Sequence, residues 1–532
     1  MTTATPTEYQ WWQRGIVYQV YPRSFMDSDG DGVGDLRGIT SRLEHVQWLG
    51  VDAIWISPIF PSPMADFGYD VADYVDVDRL FGTLANFDRL LAEAHARGLR
   101  VLLDFVPNHT SDQHPWFLDS RASRTSPRRD WYIWRDPAPG GGPPNNWLSV
   151  FGGSAWEWDA ATGQYYYHAF LKEQPDVNWR SPAVPAAMLD VLRFWLDRGV
   201  DGFRIDALRQ IIKDERLRDN PPNPTWLPGQ DPYLSQEHVY TADLPEIMDV
   251  VAQWRELADC YPGRVLIGEL YLPLARLVTY YGAGGRGLHL PFNFHLILTA
   301  WQARSVGALI ETYESLLPAG AWPNWVLGNH DQPRLASRVG QEQGRVAAML
   351  LLTLRGTPTI YGGDEIGMHD VPIPPDRLRD PVARRLPGLS LGRDPERTPM
   401  QWDDGPNAGF TSGSPWLPIA DDYPEINVQR QRDDPRSMLS LYRRLIDLRR
   451  ATPALTVGTY RQVSVDDAVL VYARELDGQE LTVALNFSPE PRRVELATAG
   501  RVVLSTHPDR EDAAVGGGPL ELRPNEGIVI LP

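Results

Sequence analysis

Ionisable side chains collect in this sequence at four points where a short apolar run ends. Asp104 ends one run, Arg204 and Asp206 end a second, Glu269 ends a third, and Asp331 follows a fourth. A single Asp after a strand is most often a turn or capping residue, whereas four such clusters at equivalent positions indicate one shared site. Carboxylates beside a guanidinium supply a nucleophile and a proton donor, so the pattern indicates nucleophilic and acid–base chemistry.

Eight short apolar runs, separated by helix-like segments, would have to position these clusters. The runs resemble strands that are buried on both faces of a parallel sheet, and helical periodicity lies between them. Eight strand–helix units predict an α/β protein with a (β/α)8 TIM barrel, whose active site lies at the carboxyl ends of the strands. A doubly wound open sheet is the alternative, and the count of eight favours the barrel. The runs cover residues 15–25, 53–60, 100–106, 202–207, 265–271, 288–294, 325–327 and 357–361.

Two loop-rich stretches and a change of pattern near the carboxyl end divide the chain further. We predict a catalytic barrel over residues 1–108 and 179–454, with an insertion domain over 109–178 after the third strand. A second insertion over 370–434 follows the eighth strand, because loops of that length are usually functional or form subdomains. Short alternating strands over 455–532 predict a carboxyl-terminal antiparallel β-sandwich.

The composition is that of a globular protein and excludes several classes of partner. The chain has 532 residues, of which 42% are hydrophobic and 23% charged, and a formal net charge of −18. That charge argues against nucleic acid or an anionic membrane as a partner, and no apolar run reaches the ~18 residues of a membrane span. We expect no secretory leader in residues 1–15. Cys260 is the single cysteine, which excludes an internal disulfide and fits a reducing compartment, so we predict a cytoplasmic protein. We expect a monomer or a weak homo-oligomer.

The four polar clusters resemble the four short motifs of the α-amylase family of glycoside hydrolases, in the family's order. Resemblance implies that Asp206 is the nucleophile, Glu269 the general acid/base, and Asp331 the third carboxylate, which stabilises the distorted sugar. Glycoside hydrolysis requires these residue types, because one carboxylate attacks while a carboxylic acid protonates the leaving oxygen. The motifs cover residues 104–109, 202–207, 268–269 and 329–331.

Three further residues of these motifs are implied to hold the nucleophile or the sugar hydroxyls: Arg204, His109 and His330. Arg204 stands two residues before Asp206, so both side chains point to one face of a strand, and we expect the guanidinium to keep the carboxylate ionised. A buried Arg–Asp pair that serves only the fold is the alternative, and the complete set of motifs disfavours it.

Three other segments are similar to the α-glucosidase and oligo-1,6-glucosidase branch of the family. Residues 174–178 read Gln-Pro-Asp-Val-Asn, with Val177 where the branch usually has Leu. Residues 66–70 depart at Phe67, where Asn is usual, and residues 397–402 match. The branch implies that small α-glucosides are the substrates.

The same resemblance implies a closed sugar pocket. Asp66 and Arg397 would bind the far hydroxyls of the terminal glucose, and Tyr69 would stack on its ring. Phe151 and Phe170 would wall the pocket, although an aromatic residue is more often plain core. Such a pocket admits only a chain end. We therefore expect a retaining, exo-acting α-glucosidase that releases α-glucose from the non-reducing end, with transglucosylation as a side activity.

The residue after the proposed nucleophile, Ala207, bears on linkage, because α-1,6-acting members of the branch usually carry Val there. Ala207 therefore favours maltose-like α-1,4 bonds, by a modest margin for a difference of methyl size. An α-glucosyltransferase or a sucrose or trehalose isomerase on the same scaffold is the alternative. A non-catalytic barrel resembling transporter heavy chains is a more remote one.

Carboxylates at alternate positions form a candidate cation loop early in the chain. Asp27, Asp29, Asp31 and Asp35, with the carbonyl of Val33, match the first half of an EF-hand-like Ca²⁺ loop. An acidic turn is the alternative, but four Asp in nine residues would repel one another without a cation. The α-glucosidase branch carries a similar loop, so we expect a structural Ca²⁺, or Mg²⁺. Residues 282–287 match a dinucleotide pattern by letter only, so we predict no organic cofactor.

Overall fold

Eight parallel strands surround the centre of the molecule, in a computed structural model that describes residues 9–389 and 391–532. The predicted barrel is therefore confirmed. Residues 1–8, part of the stretch in which we expected no leader, lie outside the described residues. The strands are β1 (Val17–Val20), β2 (Ala53–Ile56), β3 (Arg100–Phe105), β4 (Gly202–Ile205), β5 (Val265–Leu270), β6 (Leu290–Asn293), β7 (Asn324–Val326) and β8 (Thr357–Tyr361).

The strand order is β7-β8-β1-β2-β3-β4-β5-β6, so the two ends of the sheet meet between β6 and β7. Asn324 in β7 bridges this seam with its side chain. Its amide oxygen accepts a hydrogen bond from the main-chain N–H of Asn293 at 3.0 Å, and its amide nitrogen donates to the carbonyl of Pro291. At this seam, hydrogen bonds from a side chain thus replace the main-chain hydrogen bonds that join the other neighbouring strands.

Helices alternate with the strands, and their starts follow from local chemistry. Thr83 and Asn86 form a capping box at the start of Leu84–Ala96, and the hydroxyl of Ser437 caps Met438–Ala451. Strand β1 ends earlier than predicted, because Pro22 begins a helical turn. The α-helices are Trp11–Arg14, Pro22–Phe25, Leu36–Ser41, Leu43–Leu49, Leu84–Ala96, Pro115–Ala122, Ala183–Asp197, Ile247–Asp259, Leu274–Leu277, His295–Leu298, Ala303–Leu316, Leu335–Val339, Gln341–Thr353, Pro381–Arg385, Val428–Arg432, Met438–Ala451 and Pro453–Val457.

The insertion after β3 contains one α-helix and a small antiparallel sheet, and it contacts the second insertion, which follows β8. Its three strands are Trp134–Arg135, Gln164–Tyr167 and Trp156–Asp159, in that spatial order. Phe151 packs against Val382 of the second excursion, and the guanidinium of Arg385 donates to the Phe151 carbonyl at 3.0 Å. The two insertions therefore meet above the carboxyl ends of the barrel strands.

The carboxyl-terminal part is antiparallel β structure, as predicted. A six-stranded and a two-stranded sheet enclose an apolar cluster that includes Val471, Val494 and Ile530. Alternate residues such as Tyr472 join the barrel core instead, because successive strand residues face opposite sides. Within the described residues, no helix is long and apolar enough to cross a membrane. The strands are Thr459–Val465, Val469–Leu476, Gln479–Asn486, Arg492–Leu496, Gly500–Ser505, Ala514–Val515, Gly518–Leu522 and Gly527–Leu531.

Candidate active site

One buried guanidinium gathers the carboxylates of three neighbouring strand ends. Arg204 in β4 is fully buried and lies 2.7 Å from a carboxylate oxygen of Asp104, which is its register partner in β3. The same guanidinium lies 2.8 Å from Asp206 and 2.9 Å from Glu269 in β5. Polar residues that are distant in sequence thus meet because their strands are adjacent in the barrel.

The chain turns sharply directly after Asp206. Ala207 adopts a left-handed conformation, with φ of 45° and ψ of 32°, which is uncommon for a residue other than glycine. Its main-chain N–H donates a hydrogen bond to Oε2 of Glu269 at 2.8 Å. The turn therefore fixes the carboxylate of the neighbouring strand as well as directing Asp206 toward the pocket.

The pKa of Asp206 is raised well above its ordinary value. Burial is the main cause; the guanidinium of Arg204 opposes it, and the negative charges of Glu269 and Asp104 add to it. Burial likewise raises the pKa of Asp104 to about 6, against the opposing effect of Arg204. Arg204 does lower the pKa of Asp206, as expected, but burial and the neighbouring acids outweigh its effect. A cluster of this kind takes up a proton as a unit.

The third carboxylate, Asp331, has the opposite environment. Burial favours its neutral form, but His330, Arg397 and Arg393 outweigh that effect and hold the pKa of Asp331 well below its usual range. The Arg397 guanidinium donates to Asp331 at 2.6 Å, and that of Arg393 lies 3.3 Å away. The imidazole of His330 contacts Asp331 at 3.3 Å and the Tyr69 hydroxyl at 2.7 Å. Asp331 is therefore ionised throughout the ordinary pH range.

Arg393 is a residue of the site that sequence reasoning missed. Its guanidinium lies 2.8 Å from Asp66 and 2.8 Å from Asp380, and it covers the ring of Phe151 at 5.0 Å. We expected Arg397 to act together with Asp66, but Arg397 is fully buried behind the third carboxylate and Arg393 is the arginine that pairs with Asp66. Arg393 stands only four residues before Arg397, yet only the fold of the second insertion brings it to Asp66.

These residues line a cavity of about 220 Å³, many times the volume that a water molecule needs. His109 lies in its wall with the ring of Phe170 5.2 Å away, and burial lowers the pKa of His109 to about 3, so the imidazole is neutral. Arg204, His330 and Arg397 lie behind this lining. The lining consists of Asp66, Tyr69, His109, Val150, Phe151, Phe170, Asp206, Ala207, Arg209, Gln210, Glu269, Tyr271, Asp331, Gln332 and Arg393.

Comparison with known proteins agrees with this geometry. Residues 19–458 match the family model described as the catalytic domain of alpha amylase. The chain belongs to the α-amylase family of glycoside hydrolases. Residues 460–529 match a second model, described as a domain of unknown function, DUF3459.

Relatives in this family cover nearly the whole chain. A "Probable alpha-glucosidase" of Rhizobium meliloti (strain 1021) is 43% identical over 91% of this chain and 91% of its own length. "Maltase 1" of Drosophila virilis is 43% identical, over 98% of this chain and 86% of its own. An "Oligo-1,6-glucosidase" of Parageobacillus thermoglucosidasius is 40% identical, over 90% and 91%. The predicted resemblance to the α-glucosidase branch is confirmed.

Two solved structures of α-amylase family type superpose closely. The alpha-glucosyl transfer enzyme XgtA has a TM-score of 0.93 and 42% identity, over 98% of this chain and 100% of the other. The trehalulose synthase MutB from Pseudomonas mesoacidophila MX-45 has a TM-score of 0.90 and 37% identity, over 98% and 100%. This chain thus shares its fold with proteins named as an alpha-glucosyl transfer enzyme and a trehalulose synthase.

The cavity lining contains further residues that sequence reasoning did not single out, among them Arg209, Tyr271 and Gln332. Arg209 donates to the main-chain carbonyl of Tyr271 at 3.0 Å, and Gln332 lies 3.5 Å from the Tyr271 hydroxyl. Strand period gave a signal for one of them. Tyr271 stands two residues after Glu269, so both side chains fall on the same face of the strand direction. Gln332 was marked only by its position next to Asp331.

The acidic loop after β1 brings three of its four carboxylates together. Asp27, Asp29 and Asp35 each offer one oxygen, and these oxygens lie within 4.8 Å of one another. Asp31 is outside this group and accepts a hydrogen bond from the main-chain N–H of Val33 at 2.8 Å. Carboxylate oxygens at this spacing fit a hard cation such as Ca²⁺. Three of the four predicted carboxylates therefore lie close enough together to share one cation, and Asp31 does not belong to this group.

Proposed function

We propose that this protein is a retaining, exo-acting α-glucosidase that hydrolyses short α-glucosides, with a preference for α-1,4 bonds. The observation that carries the proposal is that the single guanidinium of Arg204 contacts both Asp206 and Glu269. Two carboxyl groups bridged by one guanidinium fit the short separation, ~5 Å, of retaining enzymes, which leaves no room for an intervening water. The names of the relatives, α-glucosidase and maltase, support the same activity.

In the proposed reaction, a carboxylate oxygen of Asp206 attacks the anomeric carbon while the carboxylic acid of Glu269 protonates the departing glycosidic oxygen. The C–O bond to the leaving group breaks, and a glucosyl ester on Asp206 forms. Glu269 then takes a proton from water, whose oxygen attacks the same carbon, displaces Asp206 and releases α-glucose. This sequence requires Glu269 to act first as an acid and then as a base, while Asp206 attacks as a carboxylate.

Asp331 would stabilise the charge that develops on the sugar. It stays ionised beside Arg397 and Arg393, so it offers a negative charge to the oxocarbenium-like transition state. Asp66, held at 2.8 Å by Arg393, would accept hydrogen bonds from the far hydroxyls of the glucose. The insertions that meet at Phe151 close the pocket behind this glucose, which supports removal of single units from a chain end.

We further propose a structural cation, Ca²⁺ or Mg²⁺, bound by Asp27, Asp29 and Asp35. When bound, it would neutralise their mutual repulsion. The loop is joined to the second insertion, because the hydroxyl of Thr411 donates to Asp27 and the main-chain N–H of Asp27 donates to the Phe410 carbonyl. The cation would therefore stabilise the insertion that supplies Arg393 without taking part in the chemistry.

Glucosyl transfer is the second candidate, favoured by the likeness to a glucosyl transfer enzyme and a trehalulose synthase. The two outcomes share the glucosyl ester and differ in whether water or a sugar hydroxyl attacks it. Incubation with maltose, isomaltose, sucrose and trehalose, with every product identified, separates them. We expect glucose as the main product and maltose as the better substrate. If rearranged disaccharides are the main product, the enzyme is an isomerase rather than a hydrolase. If none of the four sugars reacts, the proposal is overturned.

The location and assembly of the enzyme are part of the same proposal. The single cysteine, Cys260, is exposed and unpaired, which is consistent with a reducing compartment such as the cytoplasm. We also propose that the enzyme is a monomer or a weak homo-oligomer. Light scattering over a range of concentrations measures this directly.

A further inference from the structure

Gln19 is a buried residue of strand β1 that belongs to none of the sequence motifs. Its side chain is fully buried, and its amide nitrogen lies 2.7 Å from Nδ1 of His330 and 3.4 Å from the hydroxyl of Ser57. His330 is itself fully buried and contacts the third carboxylate, Asp331, through Nε2 at 3.3 Å. The amide therefore holds the far side of a ring that faces the pocket.

Above a pH of about 6, where Asp104 is ionised and can only accept, the proton positions in this region follow from its hydrogen-bond partners. The carboxylate of Asp104 accepts from Arg204 at 2.7 Å through one oxygen and from the indole of Trp55 at 3.2 Å through the other. The Tyr69 hydroxyl lies 3.1 Å from that second oxygen, so it donates its single proton to Asp104. The oxygen of Tyr69 is then an acceptor for its other partner, Nε2 of His330, at 2.7 Å.

Burial lowers the pKa of His330 well below its ordinary value, so the ring is neutral and holds one proton. That proton lies on Nε2, which leaves Nδ1 as a bare acceptor for the Gln19 amide. We propose that Gln19 is a positioning residue that fixes this tautomer of His330. The hydrogen bonds then run in one direction, from Gln19 through His330 and Tyr69 to Asp104, which anchors Arg204. The catalytic consequence rests on the proposed function; the tautomer does not.

The opposite tautomer would disturb the site at two points. A lone pair on Nε2 would lie 3.3 Å from the carboxylate of Asp331, whereas the present tautomer has an N–H group at that nitrogen. Tyr69 would have to donate to His330 instead of Asp104, which would remove one of the donors that hold Asp104 against Arg204. Gln19 thus acts on the reacting groups through two intermediate side chains.

Nitrogen NMR of the full-length enzyme, labelled in its 11 histidines, tests the proposal directly, because the two tautomers differ strongly in their ring nitrogen shifts. The spectrum of a His330→Asn variant identifies the His330 signals by their loss. Gln19→Glu offers only acceptor oxygens and should draw the proton to Nδ1, whereas Gln19→Met removes the hydrogen bond. Gln47→Glu, on an exposed position, is the control for the change of charge.

We expect the Nε2–H tautomer in the native enzyme and a changed pattern in Gln19→Glu. We also expect kcat to fall by about tenfold or more with a smaller change in KM, since ~1.4 kcal/mol of barrier corresponds to tenfold in rate. Gln47→Glu should match the native enzyme in both respects. An Nδ1–H tautomer in the native enzyme overturns the proposal even if no variant folds, as does an unchanged His330 in a folded Gln19→Glu.

Failure of the proposed function would look different. Full activity in Asp206→Asn or Glu269→Gln would contradict the proposed catalytic roles of these residues. It would not affect the NMR assignment of the His330 tautomer, which is measured independently. A native Nε2–H tautomer with unchanged kcat in folded Gln19→Glu would likewise reject the positioning role of Gln19 and leave the catalytic carboxylates as they are.

Discussion

The main-chain N–H of Ala207 donates a hydrogen bond to Oε2 of Glu269 across 2.8 Å, so the residue after the proposed nucleophile, Asp206, fixes the position of the proposed acid/base. This contact exists because Ala207 is in the left-handed conformation. A side chain longer than a methyl group, and above all a β-branched one, is strained there. The side chain at position 207 is therefore expected to affect both the linkage preference and the strain of the backbone.

Replacing Ala207 separates these two effects. Ala207→Gly should keep the stability within about 1 kcal/mol, because glycine adopts positive φ freely but loses more chain entropy on folding. Ala207→Val should lower the stability by about 1–2 kcal/mol and raise the ratio of isomaltose to maltose turnover. Thermal unfolding and kcat/KM on both sugars check this. Equal stability and an equal ratio in the Val and Gly variants would show that neither strain nor size matters at this position.

Removing either catalytic carboxylate should abolish turnover without unfolding the protein. We expect Asp206→Asn and Glu269→Gln each to lower kcat by about 10³-fold or more. The two carboxyl groups act together in the reaction, so the loss of either one removes the contribution of both. Asp206→Asn should not lower the melting temperature, since burial already disfavours the ionised form of this carboxyl. Activity assays and thermal scans on the same samples measure both quantities. Ordinary activity in either folded variant would contradict the catalytic assignment.

Much of the architecture was predictable from local patterns, and the parts that were not depend on distant contacts. The barrel and the motif residues followed from apolar runs and the polar residues at their ends, as in Asp104 and Arg204. Arg393 was missed because its partners, Asp66 and Asp380, come from different segments that only the folded insertions bring together. The raised pKa of Asp206 was missed because reasoning from the Arg204–Asp206 pair left out the burial of the carboxyl group, which is the main cause, and the other acids around the guanidinium.

Arg393 should be irreplaceable by lysine. Its planar guanidinium contacts Asp66, Asp331 and Asp380, whereas an ammonium group is a single point charge that cannot match three carboxylates. We expect Arg393→Lys to raise KM for maltose by about tenfold, which corresponds to ~1.4 kcal/mol, and to lower the melting temperature. Arg384→Lys, an exposed position in the same insertion, is the matched control. If both variants behave alike, Arg393 does not organise the closed end of the pocket.

The cation loop offers a matched pair of exposed aspartates. Asp29 belongs to the convergent group and Asp31 does not. Chelation should lower the melting temperature of the native enzyme, and added Ca²⁺ should restore it by mass action. We expect this Ca²⁺-dependent shift to be lost in Asp29→Asn and retained in Asp31→Asn. If chelation does not change the melting temperature of the native enzyme, the proposed cation is not bound. If both variants lose the Ca²⁺-dependent shift, Asp31 is a ligand as well.

Glu396 predicts a pH dependence of stability. Burial raises the pKa of Glu396 to about 8, against the opposing charge of Arg397, so the folded state holds a proton that the unfolded state releases near pH 4.5. Its contribution to stability is full below pH 4.5 and is lost as the pH rises toward 8.

The variant Glu396→Gln isolates this contribution. Its stability relative to the native enzyme should increase between pH 5.5 and 7.5, by up to about 1.4 kcal/mol per pH unit. Thermal unfolding of both proteins across that range measures the difference. A constant difference between the two proteins would mean that Glu396 does not hold a proton in the folded state.

The stereochemistry of the first product tests the central claim most directly. Proton NMR of the hydrolysis of p-nitrophenyl α-glucopyranoside, recorded before the glucose anomers equilibrate, follows a single released sugar. Attack by Asp206 followed by attack of water, each with inversion, predicts α-glucose as the first product. If β-glucose appears first, a single displacement has occurred and Asp206 is not the nucleophile.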